Sequence, residues 1–333
     1  MATDGSWVRL RSNDVAGIPT NPALAAQRTV HDKPGKAELP ALRARTVQAN
    51  NLEFGLLEAG GAGPLALCLH GFPDTARTWR YLLPELAEAG FHAVAPFMRG
   101  YAPSAVPSDG CYGMGALVAD ATALHEVLGG DDRAVLVGHD WGAETAYGAV
   151  AFAPDRWRRL VTLAVPPLAL DPVLFSDYEQ LKRFFYVFLF RDPLADAEKV
   201  VAADGMAFID RLWRDWSPGY DAAGHLADVK ESLRQPANLT AALGYYRAVG
   251  IGTDSTDAAA YRLEEQATLR LAERPTLYLH GSNDGCIGAD LVSDARRALA
   301  PGSRTKVVQG AGHFLHVEKP DEVNQQILAW VTG

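Results

Sequence analysis

Cysteine is scarce in this chain. Cys68, Cys111 and Cys286 stand far apart, an odd number in no metal-ligand register, which makes a poor disulfide framework and no zinc motif. A reducing cytoplasm is therefore the expected compartment, and no metal or other cofactor is expected. No apolar run approaches bilayer-spanning length. The residues after Met1-Ala2-Thr3-Asp4-Gly5-Ser6 are polar where a signal peptide would carry its apolar core, so no membrane insertion is expected. Positive charge is in deficit. The formal net charge is -9, with no Lys/Arg cluster to meet a phosphate backbone, and nucleic acid is not an expected partner. No internal repeat appears. At 333 residues the chain is long enough for one large domain or a domain with an insertion.

One further absence is chemical. Gly138-His139-Asp140-Trp141-Gly142 has the spacing of a nucleophile elbow, but aspartate stands where serine hydrolases carry their alcohol. The apolar run 133–137 ahead of it reads as a buried strand, and the small-residue run 143–150 behind it reads as a helix. Glycines on either side of the turn allow a sharp bend that lifts the central side chain above the sheet. The side chain lifted is a carboxylate, which can attack an electrophilic carbon to form an ester that water must then hydrolyse. Asp140 taken alone could equally cap the following helix, so the rest of the chain has to decide.

The first forty or so residues, with Pro19, Pro22, Pro34 and Pro40 and little periodicity, read as an N-terminal arm over 1–42. Then the pattern tightens. Residues 43–49 and 52–58 form a hairpin around Asn50-Asn51, and 65–69 a buried strand. Helix 79–89, strand 91–95, helix 117–128, the strand and helix around Asp140, and strand 160–163 follow. Such alternation implies an α/β protein with a mostly parallel sheet covered on both faces, whose first part spans 43–165. After Pro166-Pro167 the rhythm turns helical, without a convincing strand, and 166–255 reads as an inserted helical cap. The second part of the core, 256–333, resumes with strand 276–279, a helix over 288–299, strand 305–308 and a last helix over 321–330.

Three further segments supply what an aspartate nucleophile needs. His313 follows the last strand and a glycine pair, on a loop at the carboxyl edge of the sheet where open α/β folds bind ligands; it is the candidate base, with His316 as near competitor. Asp284, in Gly281-Ser282-Asn283-Asp284-Gly285 after the preceding strand, can accept a bond from the other imidazole nitrogen. In His70-Gly71-Phe72-Pro73 the Phe72 N–H pairs with that of Trp141, the residue after the nucleophile, as an oxyanion hole. The order Asp140, Asp284, His313 is that of nucleophile, acid and histidine in α/β-hydrolases.

On these motifs, together with Arg99-Gly100-Tyr101, the chain resembles an epoxide hydrolase of the α/β-hydrolase superfamily over roughly 47–330. The resemblance implies the α/β-hydrolase fold with its cap, and two cap tyrosines that activate the epoxide oxygen. Tyr186, seven residues before Pro193 in an aromatic-rich segment, fits the first. Tyr246, before Arg247, fits the second, with Tyr245 as competitor. Where the family often has aspartate two residues before the Arg-Gly pair, this chain has Phe97. The implied partners are a small apolar epoxide and water, and the implied product is a vicinal diol. The oligomeric state stays open, a homodimer included.

Two rival functions are kept. Haloalkane dehalogenases use the same Asp attack to displace halide, but commonly place Asn or Glu where Phe72 stands; fluoroacetate dehalogenases carry an arginine directly after the nucleophile, which this chain lacks. The other rival is a non-catalytic ligand receptor on the same fold.

Overall fold

The computed structural model describes residues 40–167, 171–248, 258–292 and 295–333. Most of the expected N-terminal arm, and parts of the expected cap at 168–170 and 249–255, lie outside the described residues.

Eight strands form one sheet in the order β1-β2-β4-β3-β5-β6-β7-β8. β1 (Arg43–Ala49) and β2 (Leu52–Ala59) are the expected hairpin, turning at Asn50 and Asn51 with φ of 44° and 57°. Asparagine tolerates this left-handed region better than most residues, which is why the pair marks the turn. β2 also pairs antiparallel with β4 (His92–Pro96). From there β3 (Leu65–Leu69), β5 (Val135–His139), β6 (Arg159–Leu163), β7 (Thr276–Gly281) and β8 (Arg304–Val308) run parallel. β3 and β5 are buried throughout. Strands covered on both faces need no polar alternation, and their sequences LALCL and VLVGH show none until the site is reached.

Helices α1 (Leu82–Glu88), α2 (Met114–Val127) and α3 (Trp141–Phe152) alternate with the strands. The expected helix at 79–89 divides. Its first part is a 3-10 helix, Ala76–Tyr81, capped where the Thr75 side chain accepts the Arg77 N–H, and α1 follows. Between β6 and β7 the described residues hold α4 (Asp171–Leu174), α5 (Tyr178–Arg183), α6 (Phe185–Arg191), α7 (Ala197–Trp216, kinked at residues 203–206), α8 (Ala223–Ser232), α9 (Pro236–Ala248) and α10 (Arg262–Thr268), with no strand. α11 (Leu315–Glu318) and α12 (Pro320–Thr332) close the chain.

The expected helix over 288–299 is corrected: among the described residues only the turn Ala295–Ala298 is helical, and of the 3-10 kind. The residues leading into the expected helix and at its start are held as a loop. Asp284 Oδ1 accepts the Cys286 and Ile287 N–H groups at 2.7 and 2.9 Å, and Gln180 Oε1 takes that of Gly288 at 2.9 Å. These bonds fix residues 286–288 against the loop after β7 and the insertion.

The helical insertion is tied to loops at the carboxyl ends of the strands. Trp213 Nε1 donates to the Pro73 carbonyl at 2.8 Å, Asn238 Nδ2 to that of Gly100 at 2.7 Å, Ser232 Oγ to that of Ala102 at 2.6 Å and Gln180 Nε2 to that of Cys286 at 2.7 Å. These bonds satisfy loop carbonyls that a sheet cannot reach, and they bring the insertion over the edge where the candidate site lies.

Candidate active site

Asp140 follows β5 directly and has φ 52° and ψ -122°. A non-glycine residue at positive φ stores strain of about 1–3 kcal/mol, which persists only where surrounding structure fixes it. Here β5 pairs with β3 and β6 on its two sides, and α3 starts at the next residue. The carboxylate turns toward the loop after β3, where the Phe72 N–H donates to Asp140 Oδ1 at 2.7 Å. A Cβ on Gly71 would fall on the Asp140 carboxylate, so only glycine permits this approach. The loop is held from beneath by His70: Met98 N–H donates to its Nε2 at 3.0 Å, and its Nδ1–H donates to the Gly71 carbonyl at 2.9 Å. Trp141 opens α3, and its N–H is among the first four of a helix, which find no acceptor inside it.

His313 and Asp284 come from the ends of β8 and β7, paired from Leu277–Arg304 to Gly281–Val308. His313 Nδ1 donates to Asp284 Oδ2 at 3.0 Å, and its Nε2 lies 3.6 Å from Asp140 Oδ2. All three side chains are buried. The competitor His316 is turned elsewhere, its Nε2 on Thr78 Oγ1 at 2.5 Å and its ring stacked on Trp79.

The insertion brings Tyr186 and Tyr246 together, ring centroids 5.6 Å apart. Tyr186 OH is 3.4 Å from Cys286 Sγ; Tyr246 OH is buried and has no hydrogen-bond partner among the described residues. Tyr245 points the other way, its hydroxyl donating to the Arg99 carbonyl at 2.8 Å. Phe72, Trp141, Phe190 and Trp216 pack edgewise or tilted on the two tyrosines at 5.0–5.7 Å. The surroundings of the carboxylate are aromatic.

The model of the alpha/beta hydrolase fold family matches residues 64–320. Epoxide hydrolase A of Mycobacterium tuberculosis is 30% identical over 315 residues, covering 87% of this chain and 97% of that protein. The chain belongs to the epoxide hydrolase family. Epoxide hydrolase 3 of Mus musculus is 31% identical, over 86% of this chain and 75% of that protein. Among solved structures, epoxide hydrolase A from Mycobacterium thermoresistibile matches with a TM-score of 0.73 at 27% identity, over 88% of this chain and 99% of that one.

Within this family member the charges are ordered by the geometry. Burial alone would raise the Asp140 carboxyl, but His313, His139 and the Phe72 N–H together hold it below the ordinary aspartate value. Asp284 is lowered in the same way, burial being outweighed by His313, His280 and the Ile287 N–H. Burial works against a charged His313, yet Asp284 first and Asp140 second carry its pKa up to about 10. The resting site is thus an imidazolium between two carboxylates. Burial pushes both Tyr186 and Tyr246 well above the usual phenol value, so both stay protonated.

Cys286 has no sequence signal that marks it as a neighbour of the site, since it contacts Tyr186 only through the fold. Among the described residues one group has metal-ligand composition: Asp74, His139 and His316, each offering an atom within 4.8 Å of the others. Asp74 Oδ2, 4.0 Å from His316 Nε2, and the two Nδ1 atoms make no hydrogen bond among the described residues.

Proposed function

We propose that this protein hydrolyses an apolar epoxide to a vicinal diol through a covalent ester on Asp140. Asp140 Oδ2 attacks a ring carbon and the carbon–oxygen bond breaks, while the departing oxygen takes a proton from Tyr186 or Tyr246. An alkoxide is a poor leaving group, and two phenols kept protonated by burial meet that need. Asp140 Oδ1, already on the Phe72 N–H, becomes the ester carbonyl oxygen. With the Asp140 charge gone, the His313 imidazolium returns its proton to the tyrosinate left by ring opening. Water then adds to the ester carbonyl, and the now neutral His313 takes its proton and passes it to the departing alkoxide. The Phe72 and Trp141 N–H groups hold the oxyanion meanwhile, and the freed Asp140 carboxyl re-ionises onto His313.

The reading rests chiefly on the buried, unpartnered Tyr246 hydroxyl beside Tyr186, in a site whose nucleophile is a carboxylate. A halide displacement creates no alkoxide and needs no such acids, and Phe72 offers the site a ring and an N–H with no polar side-chain group. The insertion acts as the cap that carries both acids. Incubation with styrene-type, terminal and fatty-acid epoxides, followed by product analysis and intact mass, tests this: diol should form and an adduct should map to Asp140. Turnover of short haloalkanes without epoxide turnover would move the assignment to dehalogenation. Absence of any turnover or adduct would favour a receptor.

A further inference from the structure

The loop carrying His313 gives three successive amides to acceptors outside it. Gly312 N–H donates to Glu318 Oε2 at 2.8 Å, His313 N–H to the Trp216 carbonyl at 2.9 Å and Phe314 N–H to Ser217 Oγ at 3.2 Å. The Ser217 hydroxyl in turn donates to Glu318 Oε1 at 2.6 Å, which links the acceptors into one network. Two of the three acceptors belong to the end of α7, in the insertion rather than the sheet.

The same end of α7 reaches the other loop. The Trp216 carbonyl also accepts the Gly285 N–H at 3.1 Å, so a single oxygen with two lone pairs ties the residue after Asp284 to the residue that is His313. The approach is close. A Cβ on Gly285 would collide with the Asp215 backbone, and one on Gly312 with the Trp216 carbonyl and the Ser217 backbone. The Trp216 ring lies 5.1 Å from that of His313 and 5.0 Å from that of Tyr186. Burial raises the Glu318 carboxyl above its usual value, while its bonds from Ser217 and Gly312 favour the anion that accepts both.

We propose that Ser217 and Glu318 are positioning residues for His313, through which the end of α7 fixes the imidazole between Asp284 and Asp140. The proposal rests on the ester-hydrolysis reading above. His313 Nε2 must reach a water against the Asp140 ester, and a displacement of about 1 Å in a reacting group can cost roughly a hundredfold in rate. Ser217→Ala removes the acceptor of the Phe314 N–H and one donor to Glu318. Glu318→Ala removes both acceptor atoms, whereas Glu318→Gln keeps one carbonyl oxygen.

Single-turnover kinetics with a styrene-type epoxide separate formation of the ester from its hydrolysis, and ¹⁵N NMR of the His313 ring follows its titration directly. In variants that unfold near the wild-type temperature, hydrolysis should slow roughly ten- to a hundredfold and alkylation far less. Glu318→Gln should fall between wild type and Glu318→Ala. The His313 titration should move down in Ser217→Ala, which removes no charge, since an imidazole drifting from its carboxylates loses what holds its proton; in the Glu318 variants the lost carboxylate adds to the fall. Equal loss in both steps, no loss in either, or an unchanged His313 titration in folded Ser217→Ala and Glu318→Ala would overturn the proposal. If the wild type forms no ester from epoxides, the function proposed above fails, and the ring titration still decides whether these residues position His313.

Discussion

Tyr245 and Tyr246 are adjacent on α9 and should respond to loss of a hydroxyl in opposite ways. Tyr246 OH is buried without a partner among the described residues, so it sits in the resting fold at a desolvation cost of about 1–3 kcal/mol that Tyr246→Phe removes with little change of volume. Stability should stay level or rise, by about 2 °C in melting temperature for each kcal/mol recovered. Alkylation by an epoxide should nonetheless fall by roughly one to three orders of magnitude, the scale of a positioned acid or transition-state donor. Tyr245→Phe breaks the 2.8 Å bond to the buried Arg99 carbonyl and should cost about 1 kcal/mol of stability, with alkylation close to wild type. Single-turnover alkylation and thermal unfolding on both variants, and on the Tyr186→Phe/Tyr246→Phe double, read this out. The reasoning is refuted if a folded double mutant alkylates at near the wild-type rate, or if activity follows Tyr245 while Tyr246→Phe is silent.

His313→Ala should form the Asp140 ester and fail to hydrolyse it, giving a persistent adduct by intact mass; rapid multiple turnover without adduct would falsify the base assignment. Asp284→Asn should leave the fold intact and slow the second step, because an amide can favour the wrong imidazole tautomer; unchanged single-turnover hydrolysis would point to another acid. Gly71→Ala places a methyl against the Asp140 carboxylate, so adduct formation should be lost, and a variant that alkylates normally contradicts the stated approach. The folded-state pKa of His313 is raised from 6.5 to about 10, so its contribution to stability is full below about pH 6.5 and is lost as pH rises through about 10. His313→Gln should flatten the melting-temperature curve across that window; parallel curves for the two proteins would show that the shift is absent.

The fold was legible where a local pattern had one physical reading. Asn50-Asn51 between alternating runs could only turn, and LALCL and VLVGH are too apolar for anything but strands covered on both faces. The order of Asp140, Asp284 and His313 likewise placed three side chains at neighbouring strand ends, where the structure brings them together. What stayed closed to sequence depended on distant partners. The run 288–299 carries helical spacing, yet among the described residues only Ala295–Ala298 is helical, and the start of the run is tied to the insertion by the Gly288 N–H on Gln180. The choice between Tyr245 and Tyr246 is a rotation of about 100° on one helix, set by how α9 docks, with Asn238 on the Gly100 carbonyl. Cys286 beside Tyr186 has no local signal at all, and the aromatic character of the cap does not by itself set Trp216 between Tyr186 and His313.

In the mechanism proposed above, the charge arrangement would let one histidine sit quietly through the first step and act in the second. While Asp140 is a carboxylate, His313 is held protonated by two anions and is no base, and its positive charge favours the ionised nucleophile at a buried site. Esterification removes one of those anions. What remains is burial, which disfavours the imidazolium, against Asp284 alone, and the histidine pKa must fall when Asp140 becomes neutral. Under that proposal, the group that is to accept a proton from water becomes a better acceptor only once the ester exists. No movement of the fold is needed for this ordering, because the covalent bond itself changes the field at Nε2, 3.6 Å away.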